Sequence, residues 1–97
     1  MPRLLYIVPS PDPKKRYMAV FELDNDKKKN VKFGDPNMES YVLHGSKDRR
    51  ARYRLRHAKD LNTDDPLRPG FLSYFILWGK SRNIMKNIAE YKRLFDL

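Results

Sequence analysis

The sequence predicts a small α+β domain: a short antiparallel sheet, built on a β-hairpin with a candidate third strand, followed by about three helices. Three observations carry this. "RYMAVFEL" and "VKF" alternate in polarity around the turn-rich "DNDKKKN". Ile84, Ile88, Tyr91 and Phe95 recur at helical spacing near the C-terminus. The 97 residues, 40% hydrophobic and 12% aromatic, suffice for one thin core and are too aromatic for a disordered chain.

Along the chain, Leu4, Leu5, Tyr6, Ile7 and Val8 form an apolar segment followed by "PSPDPKK". Three prolines in five residues exclude a regular helix or a central strand there, since each fixes φ and removes a backbone donor. Residues 1–15 are therefore expected as an extended arm on a stiff proline spacer. Its apolar residues either pair at a sheet edge or dock on a neighbour. Residues 16–97 form the single domain, and deleting residues 1–13 is expected to leave it folded.

In the hairpin, Tyr17, Ala19, Phe21 and Leu23 share one face, with Met18, Val20 and Glu22 on the other. The lysines 27–29 fall in its turn, as a solvated tip. Gly34 and Pro36 close the hairpin, and "ESYVLHG" is the candidate third strand. Ser46 is a good N-cap for a helix running to about Leu61, with Asp48 suiting its positive dipole end. After the loop 62–69, Gly70 opens "FLSYFILWG". Phe71, Phe75 and Trp78 at i, i+4, i+7 favour a short buried helix, with a buried strand as the competing reading. Gly34 and Gly70 adjoin chain reversals and serve backbone geometry. Ser81 or Asn83 caps the final helix.

Twenty-one Lys and Arg against twelve Asp and Glu leave a net charge of +9, concentrated in the second half of the chain. Such a field favours nucleic acid, an anionic membrane surface or an acidic protein. Without cysteine there is no disulfide, no thiolate metal site and no cysteine nucleophile, and a reducing compartment is expected. No segment has the apolar length of a signal peptide core or a transmembrane helix. His44 and His57 lack a third ligand at metal spacing, and no nucleophile motif accompanies Ser46 or Ser73, so neither a metal nor a cofactor is expected, nor an enzymatic activity.

The densest feature is "SKDRRARYRLRHAK", with five arginines between positions 49 and 56. On a helical wheel Ala51, Leu55 and Ala58 form a narrow stripe that would dock on the core. Arg49, Arg50, Arg52, Arg54 and Arg56 flank it, with Tyr53 and His57 facing outward between the two basic arcs. Guanidinium is always charged and forks onto two oxygens, so this face suits phosphates, carboxylates or a partner protein. The plainer alternative is that the arginines pair with Asp48, Asp60, Asp64 and Asp65 or sit in water.

Taken together, Phe33–Gly34, Tyr41 and His44, then Asp48, Arg49, Arg50, Tyr53, Arg56 and His57, then Pro69, Gly70, Phe71, Leu77 and Trp78 form a joint pattern. It resembles that of a family of small basic proteins encoded by giant and other nucleocytoplasmic large DNA viruses. The resemblance spans roughly residues 16–85, departing at the loop 60–68 and leaving the N-terminal arm outside. It brings no enzymatic activity with it. It implies a protein made in the infected cell's cytoplasm and packaged in the virion. The expected role is a minor capsid protein that joins or lines capsid subunits, other virion proteins being its partners. The alternative is a sequence-nonspecific nucleic-acid-binding protein that coats or compacts viral DNA.

Overall fold

The computed structural model describes all of residues 1–97. Three antiparallel strands, β1 (Arg3–Pro9), β2 (Tyr17–Glu22) and β3 (Lys28–Phe33), lie in the order β1-β2-β3. Helices follow: α1 (Tyr41–His44), α2 (Lys47–His57), α3 (Pro69–Leu72) and α4 (Ile84–Phe95). The α+β class is as predicted.

The third strand is the segment expected as an arm. β1 pairs with β2 from Arg3↔Glu22 to Pro9↔Tyr17, the sheet-edge alternative, and Leu4 is buried in the core. A register shift between Leu4 and Tyr6 inserts one extra residue, so Leu4 and Ile7, three apart, both pack on the core cluster. The backbone N–H of Leu4 donates to the carbonyl of Leu97, tying the strand to the C-terminus. The prolines build a hairpin connection rather than a spacer. Ser10 Oγ accepts from the N–H of Asp12, Asp12 Oδ1 accepts from the N–H of Lys14, and the N–H of Ser10 returns to the carbonyl of Arg16.

The predicted hairpin is β2–β3, and its turn is tighter than expected. Lys28 and Lys29 lie within β3, opposite Glu22 and Phe21, leaving Lys27 in the turn. Cross-strand partners on one face, such as Ile7, Ala19 and Val31, join the helices in one core. Gly34 ends β3 at φ 88°, and a Cβ there would press on Leu77 Cδ1 and Arg16 Cβ, so turn and packing both require glycine. "SYVLHG" forms α1 instead of a strand, closed by Gly45 in the left-handed region.

The run "PGFLSYFIL" is helical, which decides against the buried strand. Its last turn, Ser73–Leu77, widens to a π-helical turn closed by the Trp78 N–H on the Ser73 carbonyl at 3.0 Å. The wider turn lets Ile76, Leu77 and Trp78, three successive residues, all be buried. Phe71 is buried, Phe75 packs half-buried against Phe71 and Phe95, and Gly70 lies against Asp60. Asn83 caps α4, its side chain accepting from the N–H of Met85. Tyr91, fully buried, donates its hydroxyl to the carbonyl of Pro66 and pins the preceding loop. No helix is long and apolar enough to cross a membrane.

Candidate functional site: the arginine face of α2

α2 starts where expected. Ser46 Oγ accepts from the N–H of Arg49 at 3.2 Å, and Asp48 lies in the first turn. It ends earlier: after His57 the chain tightens to a 3-10 helix over Ala58–Thr63, so the stretch expected as one helix to Leu61 is two.

Its orientation is the opposite of the expected one. Leu55 is 80% exposed, and Ala51 and Ala58 are exposed with it. The buried residue is Tyr53, at 7%. A Leu with two alanines offers little apolar area, whereas a tyrosine ring buries far more and gains from stacking. The Tyr53 ring lies parallel to Trp78 at 4.1 Å and 4°, with His57 stacked on it at 4.1 Å and 23°. Burial pushes the Tyr53 hydroxyl pKa up to about 12, helped by the negative charge of Asp60. His57 Nδ1 lies 2.9 Å from Asp60 Oδ2, to which it donates.

The docking stripe is therefore Arg50, Tyr53, Arg54 and His57, at i, i+3, i+4, i+7. Arg50 Nε donates to the Gly79 carbonyl at 2.8 Å. Arg54 Nη1 donates to the carbonyls of Tyr74 (3.1 Å) and Trp78 (2.8 Å), with its guanidinium 4.0 Å from the centroid of the Tyr74 ring. These carbonyls lie in and just after the π turn, at the negative end of a helix, where a cation is favoured. Burial lowers the Arg54 pKa, an environment suited to structure rather than to a free ligand contact. Two of the five expected anion-binding arginines are thus committed to the fold.

The other three are not. Arg49, Arg52 and Arg56 are exposed and, with Met38 and Trp78, line one open concavity of about 280 Å³. Arg52 Nη2 meets Asp48 Oδ2 at 2.7 Å, while Arg49 and Arg56 pair with no carboxylate. Sequence reasoning brought these arginines forward but missed Met38, which a loop carries to the same concavity. At the near end, His44 Nδ1 accepts from the Ser46 N–H at 2.8 Å, which places the proton on Nε2, a buried atom without a partner. Burial and the charge of Arg49 lower the His44 pKa.

The residues expected to dock as an arm lie elsewhere. Leu4, Leu5, Tyr6 and Ile7 line a second concavity with Met85, Ile88 and Lys92 of α4, Tyr6 being 50% exposed, while Val8 is half-buried opposite Met18.

A family of unknown function (DUF5754) matches residues 5–57. The chain belongs to that family. The DUF5754 match opens inside β1 and closes at the last residue of α2, so it takes in the sheet, α1 and every arginine of the α2 cluster. No curated protein and no solved structure matches the chain.

Proposed function

We propose that this protein binds nucleic acid without sequence preference, coating or compacting it through the exposed face of α2. The observation that carries the reading is the convergence of Arg49, Arg52 and Arg56 on one concavity, in a chain of net charge +9. From Arg49 to Arg56 the helix rises ~10 Å. One strand of a duplex presents about three phosphates over that distance. Three contacts predict a salt slope of about −2.7, so affinity for duplex DNA should fall about 40-fold between about 50 and 200 mM salt. In an Arg49→Glu/Arg56→Glu variant, binding at low salt should collapse. Salt-independent binding, or a variant that binds like the parent, overturns the proposal.

A role as a minor capsid protein of a large DNA virus is the second reading, favoured by the apolar concavity between β1 and α4. Exposed Tyr6 and Met85 there suit a neighbouring protein subunit. Under it, a Tyr6→Glu/Met85→Glu variant should fold but be left out of particles assembled in infected cells. Incorporation at the parent level removes this reading.

A further inference from the structure

Building on the nucleic-acid reading, we infer that the α2 site holds a strand by its phosphates alone and leaves the bases unread, because the one aromatic ring that lines the concavity, Trp78, is itself buried. Single-strand binders gain affinity by laying bases on exposed aromatic rings, and on the helical wheel Tyr53 is a ring expected to face outward among the arginines. Both its faces are occupied, one by Trp78 and the other by His57. Trp78, 4% exposed, has one face under Tyr53 and packs against the tilted ring of His44 at 5.2 Å, so little of it is open to the concavity it borders. His57, stacked by one face on Tyr53 and bonded through Nδ1 to Asp60, is partly exposed but lies outside the lining of the concavity, and two further aromatics near the helix are engaged by arginines. Tyr41 is buried with the Arg50 guanidinium 5.6 Å from its centroid, and Tyr74 carries Arg54.

What the concavity does offer is three guanidiniums and a thioether. Base edges are read by side chains inserted into a groove, and phosphates by exposed cations. Arg52 meets the exposed Asp48 carboxylate at 2.7 Å, a solvent-screened contact that a phosphate oxygen would have to displace. The ligand is thus the sugar–phosphate backbone itself, and duplex, single strand and bare polyphosphate share the chemistry that is recognised.

The test compares the full-length protein with oligothymidine, oligoadenine and an abasic strand of equal length, each titrated at low salt, with inorganic polyphosphate as competitor. The abasic strand should bind within about three-fold of both base-bearing strands, and polyphosphate should displace all three. Trp78, the only tryptophan in the chain, gives an internal reporter, and its emission should respond alike to all strands. Stacking is worth about five-fold or more per base, so base-bearing strands that bind at least ten-fold tighter than the abasic strand overturn this inference while sparing the nucleic-acid reading. If no strand binds, the nucleic-acid reading falls and takes this inference with it.

Discussion

A chain lacking residues 1–9 should fail to fold, giving no cooperative thermal transition where the full chain gives one. The truncation removes β1 and with it one edge of a three-stranded sheet, so that β2, paired on both sides in the full chain, is left as an unpaired edge. It takes Leu4 out of the core and Ile7 from against it. Leu4 alone, truncated to alanine, should cost ~2–5 kcal/mol. The C-terminal end of the chain loses its tie as well, since the Leu97 carbonyl accepts from the Leu4 N–H. A domain of this size holds only ~5–15 kcal/mol in total, so these losses exhaust it. Circular dichroism melts of the full chain, the truncated chain and Leu4→Ala make the measurement. A truncated chain melting within a few degrees of the full one would restore residues 1–15 as a dispensable arm.

The two readings open for this segment show which physics a sequence displays. The β2–β3 hairpin, the Ser46 and Asn83 caps and the apolar face of α4 were legible because each is local: alternation, a cap or a 3.6-residue period lies within a dozen residues. β1 was ambiguous because pairing with β2 is a tertiary fact, and Pro9, Pro11 and Pro13 suit a hairpin connection as well as a spacer. The π turn at Ser73–Leu77 has no periodic signature, since a single wide turn shifts the register by one residue. The orientation of α2 was hidden for a different reason. A helical wheel sorts residues by hydropathy, and arginine counts as surface. Yet Arg50 and Arg54 spend their donors on backbone carbonyls and set their guanidiniums beside the Tyr41 and Tyr74 rings, while Leu55 is left in solvent. The arginine cluster was thus visible in the sequence, and its division into fold and site was not.

That division predicts that Arg54→Ala will lower stability by ~2–4 kcal/mol in urea unfolding, whereas Arg49→Ala and Arg56→Ala stay within ~0.5 kcal/mol of the parent. Arg54 Nη1 satisfies the carbonyls of Tyr74 and Trp78 together, and the half-buried guanidinium rests on the Tyr74 ring. Removing it leaves two acceptors without that donor and strips the cation from the Tyr74 face, whose contact contributes ~0.5–2 kcal/mol. Arg54→Lys should recover only part of the loss, because an ammonium on a shorter reach cannot serve both carbonyls and lie flat on a ring. The two groups of arginines should then separate on two axes. Arg54→Lys should weaken the fold and keep its polyanion affinity under conditions where it is native. Arg49→Glu/Arg56→Glu should lose affinity and keep its fold. If Arg54→Ala proves as harmless as Arg49→Ala, the arginines form one solvated set, and the assignment of Arg54 to the end of the π turn is wrong. If instead the stability loss appears but Arg54→Lys also abolishes binding, then the helix end and the α2 face act as one unit. The concavity beside Trp78 would depend on how that tryptophan is held.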